Sequence, residues 1–461
     1  MGTLYQGPPD TAIHDLKVTI QESQLVFPAQ ETQSKSMFLS NIDQVLNFNV
    51  QTVHFFPANL EFPPKIVADR LRTALSNVLV PYDFLAGRIK LNPHSGRLEI
   101  DCNSAGAVFA VASSEFALDD IGDLVYPNPA FGQLIVEKVD AIGSDDQPLC
   151  IIQLTSFKCG GFAMGVSTNH AMLDGLSFKI FLQNLATQAF DDKPLAIVPY
   201  NDRTVLAARS PPQVTFPHPE LLKLKIPIGE EPSHPTFDCP QEELAFKIFR
   251  LSSDHISYLK EKAKASGPAA AAATATTNYR ITGFNVVTAH VWRCKALSCD
   301  SEEGLERLST VLYAVDIRPR MKPPLPASYT GNAVLTAYAT AKCRELEEVP
   351  FSKLVAMVSE GAARMTDEYA RSAIDWGEVY KGFPHGEFLI SSWWRLGFAE
   401  MEYPWGKPRY SCPVVHQRKD IILLFPDIDA ANANAVNVLV ALPGKEMEKF
   451  QSLFHKLLED N

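Results

Sequence analysis

Apolar positions along this chain recur at two different spacings. Residues 65–80, 177–189 and 445–458 place them three and four apart, as on one face of a helix. Residues 97–101 (Arg-Leu-Glu-Ile-Asp) read as a strand, and 149–157, 162–168, 420–425 and 435–442 are short, mainly apolar runs of strand length, several of them rich in β-branched side chains. The alternation predicts an α/β chain. Two stretches break the pattern. Residues 194–240 hold ten prolines, which remove backbone donors and push their neighbours to extended geometry, so this stretch predicts a long crossover rather than a helix or sheet. The Ala/Thr tract at 268–277 predicts a loop insertion. No internal repeat at a fixed period is visible.

A chain of 461 residues exceeds what one hydrophobic core usually organises and predicts two domains of roughly 200 residues each. The charge of −11 argues against a nucleic-acid partner, which needs a basic surface. An anionic ligand would need a local basic patch. Eight cysteines without a Cys-x-x-Cys pair, and no leader-like opening, predict reduced thiols in a cytoplasmic protein. No run of about eighteen apolar residues predicts a membrane span.

The most informative stretch is residues 160–175, which predicts a strand, a turn and a helix with His170, Asp174 and Gly175 at the turn. His-x-x-x-Asp alone is weak evidence, because the chain also contains it at His234/Asp238 and His416/Asp420. His234 lies in the proline-rich stretch and His416 in a polar, charged one, so neither has a scaffold to fix an imidazole. A lone histidine in an apolar segment is more often a packed core residue than a catalyst. His170, however, follows a buried strand and precedes a tight turn, where a rigid element can present it. A neutral imidazole there can take a proton from an alcohol or amine attacking a carbonyl.

Asn169-His170-Ala171-Met172-Leu173-Asp174-Gly175, together with the late Trp405-Gly406-Lys407-Pro408, resembles the plant BAHD acyl-CoA-dependent acyltransferases. Residues 38–44, 84–88, 202–206, 315–320 and 331–332 match in the family's order, so the resemblance spans nearly the whole chain. Residues 38–44 and 365–375 look like the branch of omega-hydroxypalmitate feruloyl transferases, which implies a hydroxycinnamoyl donor and a long-chain or otherwise neutral alcohol acceptor.

The resemblance implies two chloramphenicol-acetyltransferase-like lobes, 1–193 and 241–461, joined by a crossover at 194–240, with residues around 385–405 packing on the N-terminal lobe. The active site would be a channel at the lobe interface. Acyl-CoA would be a co-substrate, with no permanent cofactor, no metal and a monomeric chain. His170 takes the role of general base, Ser391 of oxyanion donor, and Trp393 of channel wall. Asp174 is implied to turn away and pair with an arginine. Gly175, Arg318, Glu402, Trp405 and Gly406 are implied to be structural. The family's Asp-Phe-Gly-Trp-Gly reads Glu402-Tyr403-Pro404-Trp405-Gly406 here, with Glu402 expected to pair with Arg318 or Arg320 and Pro404 restricting the turn. Arg293, Lys295, Arg320 and Lys407 are the cations that family position offers to the coenzyme's phosphates. Where relatives carry an arginine for an acidic acceptor, only Lys381 and His385 stand nearby, favouring a neutral, elongated acceptor. A non-catalytic relative assisting fatty-acid elongation and a polyamine N-acyltransferase are the alternatives. A peptide-synthetase condensation domain is disfavoured by Asn169, and a serine hydrolase by the lack of a Gly-x-Ser-x-Gly elbow.

Overall fold

A computed structural model describes residues 5–6, 13–126, 128–138, 143, 146–224, 244–265, 280–299, 304–414, 418–428 and 434–459. The 268–277 tract, His234, Asp238, Cys239 and His416 lie outside these residues. The predicted elements appear close to their expected bounds. The run at 65–80 forms the helix Pro64–Val78, that at 177–189 forms Gly175–Gln188, and that at 445–458 forms Gly444–Glu459. The five expected strands all form: Leu98–Cys102, Cys150–Ser156, Phe162–Asn169, Ile421–Pro426 and Val436–Pro443.

The two main sheets belong to two lobes, each with helices against it. One has six strands in the order Tyr410–Pro413, Asn49–Phe56, Phe162–Asn169, Cys150–Ser156, Ala107–Ser114 and Val18–Val26. Helices Pro64–Val78 and Gly175–Gln188 pack on it and share its core. The other has seven strands, with Phe388–Ser392 lying parallel between Leu308–Asp316 and Ile421–Pro426. Its core is closed by helices including Gly283–Ser298, Phe351–Ala363 and Gly444–Glu459.

Each sheet borrows an edge from the far end of the chain. Tyr410–Pro413 extends the sheet built from residues 18–169, and Tyr5–Gln6 extends the C-terminal one. The stretch around 385–405 divides in the same way: Phe388–Ser392 is inside the C-terminal sheet, whereas Phe398, Met401, Tyr403 and Trp405 lie in the N-terminal core. In the proline-rich stretch, the described part is mostly irregular. It does hold the short helical turn Arg203–Leu206 and a three-residue strand, Leu221–Lys223, paired with Gly382–Pro384. This corrects the expectation of no regular element: prolines at 211, 212, 217 and 219 leave these short pieces free to bond.

All eight residues of Phe162–Asn169 are buried. Gly165 in its middle is needed for close approach, because a Cβ there would come within 2.1 Å of the Leu134 carbonyl oxygen. A strand enclosed on both faces is rigid, and the residue at its end is therefore held in place.

Candidate active site

His170 is the first residue past that strand, in a turn closed by the Met172 amide donating to the Asn169 carbonyl at 2.9 Å. Its own amide donates to the Phe48 carbonyl at 2.7 Å, and the Phe48 ring lies 5.3 Å from the imidazole. The half-buried side chain meets a single polar group among the described residues, Asn332.

The Asn332 amide fixes the imidazole's proton. Its Nδ2 donates to the Asp43 carboxylate at 2.8 Å and to the His170 carbonyl at 2.8 Å, which uses both amide hydrogens. Oδ1 must then be the atom facing His170 Nδ1, 3.1 Å away, so Nδ1 carries the hydrogen and donates it. The lone pair is left on Nε2. Asp43 is itself buried, held in a reciprocal cap with Ser40, and also accepts the Asn332 backbone amide at 3.1 Å.

Arg203, from the crossover, is fully enclosed and donates to the carbonyls of Ala171 and Met172, both at 2.7 Å. It lies 3.5 Å from Asp43, balancing that charge. Asn332, Asp43 and Arg203 stand in segments that carry the family resemblance, yet spacing alone gives them no role: they lie 162, 127 and 33 residues from His170.

Asp174 faces away from the imidazole. It caps the helix Gly175–Gln188, accepting from the Ser177 amide and hydroxyl at 2.9 and 3.0 Å. Arg318 reaches it with both terminal nitrogens at 2.9 and 3.0 Å, and the Ala333 amide donates to it at 3.0 Å. With five donors on two oxygens it has nothing left for His170. Burial alone would lower the Arg318 pKa, but Asp174 and Asp316 outweigh it and raise it, so the guanidinium stays charged.

Ser391 sits half-buried in Phe388–Ser392, opposite Leu423, and its hydroxyl has no hydrogen-bond partner among the described residues. Trp393 follows it, partly buried against the N-terminal core with its ring 5.5 Å from Phe398. Neither is hydrogen-bonded to His170 in the described residues.

The Glu402–Gly406 segment is a tight turn, the amides of Tyr403 and Gly406 each donating to the other's carbonyl. Pro404 occupies the second turn position, where its fixed φ fits, and Gly406 has φ of 105°, which calls for glycine. Trp405 is 4% exposed, with Phe56, Phe62 and Phe162 around its ring at 6.1 to 6.3 Å. It thus packs beside the first residue of the His170 strand.

Three of the expected pairings require correction. Glu402 bonds neither Arg318 nor Arg320: it is exposed and lies 3.5 Å from Lys407, because the turn points it outward. Arg320 spends its guanidinium on the carbonyls of Ala362 and Met365, which argues against a phosphate role. Lys295 is buried between Glu387 and Glu446, at 3.9 and 3.7 Å, and its charge is already met inside the fold. Arg293 donates to the Glu347 carbonyl, while Lys407 stands on the far lobe, so the four cations do not converge. Among the described residues no cluster suits a metal ion, and no helix is long and apolar enough to cross a membrane.

Comparison with known proteins agrees with this architecture. The Transferase family matches residues 16–457. Acyltransferase GLAUCE of Arabidopsis thaliana is 60% identical, over 99% of this chain and 100% of its own. Omega-hydroxypalmitate O-feruloyl transferase of the same plant is 34% identical, over 96% and 94%. Among solved structures, vinorine synthase superposes with a TM-score of 0.71 at 23% identity, covering 94% of this chain and 96% of its own. TRI101 of F. graminearum, complexed with coenzyme A and T-2 mycotoxin, gives 0.74 at 14% identity, covering 91% and 97%. The chain belongs to the plant BAHD branch of the Transferase family, the acyl-CoA-dependent acyltransferases.

Proposed function

We propose that this protein transfers an acyl group, of the hydroxycinnamoyl class, from a coenzyme A thioester to the hydroxyl of a neutral, elongated acceptor, acting as a cytoplasmic monomer. The observation that carries the mechanism is the hydrogen bonding of His170: Asn332 Oδ1 accepts from Nδ1–H, which leaves the Nε2 lone pair as a base. Nε2 accepts the acceptor's proton as its oxygen attacks the thioester carbonyl carbon, and the carbonyl electrons move onto oxygen. On collapse the C–S bond breaks, the ester carbonyl reforms, and the imidazolium returns its proton to the departing thiolate. General-base assistance of this kind is worth about 10²–10⁴ in rate. Ser391, with a free hydroxyl on a strand of the C-terminal sheet, is the donor we assign to the oxyanion, and Trp393 the wall beside it. Asp174 and Arg318 brace the turn. Because Arg293 and Lys407 stand on different lobes, we assign at most one of them to the coenzyme's phosphates.

We assign the acceptor to the cavity lined by Leu46, Val334 and Trp376, because its wall also takes in Ile42 and Gln44, the chain neighbours of Asp43. Relatives named for omega-hydroxypalmitate and fatty-alcohol acceptors support the acceptor class. The test is a matrix of acetyl-, malonyl-, benzoyl-, coumaroyl-, caffeoyl- and feruloyl-CoA against long-chain alcohols, shikimate and spermidine, read by thiol release and product mass. Ester formation from a hydroxycinnamoyl donor and a long-chain alcohol is expected. Reaction confined to shikimate or spermidine contradicts the acceptor class.

A further inference from the structure

Phe48 stands just before the strand Asn49–Phe56, and His170 just after Phe162–Asn169. Asn49 pairs with Asn169 in the antiparallel register of these strands, so Phe48 lies opposite His170, and the 2.7 Å bond from the His170 amide to the Phe48 carbonyl continues the ladder. Residues opposite each other in such a pair send their side chains to the same face. Phe48 therefore shares the face that presents the imidazole, and the two rings are 5.3 Å apart, inclined at 59°.

The fold gives this ring no other task. It is 51% exposed, joins none of the hydrophobic cores, and has no ring neighbour but His170 among the described residues. Its place is nevertheless fixed from both sides, by the bond to His170 and by the Asn169 side chain, which donates to Asn47 Oδ1 at 2.8 Å. Val45 and Leu46 line the cavity assigned to the acceptor. The chain turns after them, the Phe48 amide donating to the Leu46 carbonyl at 2.8 Å, and Phe48 is not on that cavity's wall. An open aromatic ring held beside the base, outside the acceptor's cavity, is a surface for the other substrate.

We propose that Phe48 is the surface on which the donor's acyl group lies, and that it selects flat, conjugated acyl groups over flexible aliphatic ones. The attacked carbonyl must sit at His170. In a hydroxycinnamoyl thioester a planar arm joins that carbonyl to an aromatic ring, so the arm stays within reach of Phe48. An aliphatic chain offers no ring and loses rotational freedom on being held. The inference rests on the reading above that the donor is a hydroxycinnamoyl thioester, and adds the residue that recognises it.

The test measures the affinities of coenzyme A, hexanoyl-CoA and feruloyl-CoA for the full-length protein by calorimetry, without an acceptor, in wild type, Phe48→Leu and Phe48→Tyr. Both substitutions keep the backbone bond to His170. One aromatic pair is equivalent to about two- to tenfold in affinity, so wild type is expected to bind feruloyl-CoA about fivefold or more tightly than hexanoyl-CoA. Phe48→Leu should lower that ratio about fivefold and Phe48→Tyr should keep it, with free coenzyme A bound equally by all three. A ratio unchanged in Phe48→Leu, or a wild type that binds both thioesters equally, overturns the proposal. Hydroxycinnamoyl transfer in the acyl-transfer matrix alongside that result would leave the reaction standing and remove only Phe48 from it. A ring preference that depends on Phe48, with no transfer in the matrix, would uphold Phe48 while counting against the proposed reaction.

Discussion

Asn332 holds His170 twice and in opposite senses: its Oδ1 accepts from the ring at 3.1 Å, and its Nδ2 donates to the same residue's carbonyl at 2.8 Å. The second bond, with the bond to Asp43, prevents the amide from flipping, so the tautomer of the base is dictated from the opposite lobe. Asn332→Ala should therefore lower kcat about 10- to 10²-fold with little change in KM, because the base is still present but loses its fixed tautomer and orientation. Steady-state kinetics check this. A loss confined to KM would place Asn332 in substrate binding instead.

Asp174 and Arg318 form an enclosed ion pair, with side chains 2% and 5% exposed. Removing one partner leaves a buried charge poorly matched, since the partly exposed Asp316 meets Arg318 only from one side, so Asp174→Asn and Arg318→Met should each cost about 3 kcal/mol. The combined Asp174→Leu, Arg318→Met variant should recover part of that loss. Denaturant unfolding measures both, and additive losses in the double variant would show that the two do not act as a pair.

The Trp405 segment should behave as core and its acidic neighbour as surface. Trp405→Ala removes a ring packed on Phe56 and Phe162 and should cost about 3–5 kcal/mol. Glu402→Gln breaks only an exposed contact with Lys407 and should change stability by less than about 0.5 kcal/mol. Thermal melts of the two variants separate the cases.

Acid should weaken the fold through buried neutral histidines. Burial pushes His54, bonded to Thr52 and Ser411, down to about 3 from 6.5. His290 is pushed to the same value, again mainly by burial. Between these limits the unfolded chain binds protons that the folded one refuses, so stability is present above pH 6.5 and falls as pH is lowered. The melting temperature should drop between about pH 7 and pH 5, and His54→Gln should drop less steeply. An equal slope in the variant would rule His54 out as a source.

Much of the fold was legible because strand and helix periods in this chain are clean, and because residues 162–168 carry a buried strand in plain order; the expected turn at 174–175 is instead the start of the helix, and the turn falls at 170–172. His170 could be found for the same reason. The partners that give it chemistry could not: Asn332 reaches it across the lobe interface, and only side-chain geometry reveals which amide atom faces the ring. The cations misled in the same way. Lys295 and Arg320 sit at family positions that suggest phosphate, but sequence does not show that Glu387, Glu446 and two carbonyls already engage them. Glu402 keeps its acidic type while the turn at Pro404 aims it at solvent.

The most direct test of the account compares wild type with His170→Ala on the productive donor and acceptor pair, with coenzyme A affinity measured alongside. The predicted result is a fall in turnover of at least about 10²-fold with coenzyme affinity and melting temperature little changed. Turnover that persists undiminished in the variant would contradict His170 as the base, and with it the mechanism.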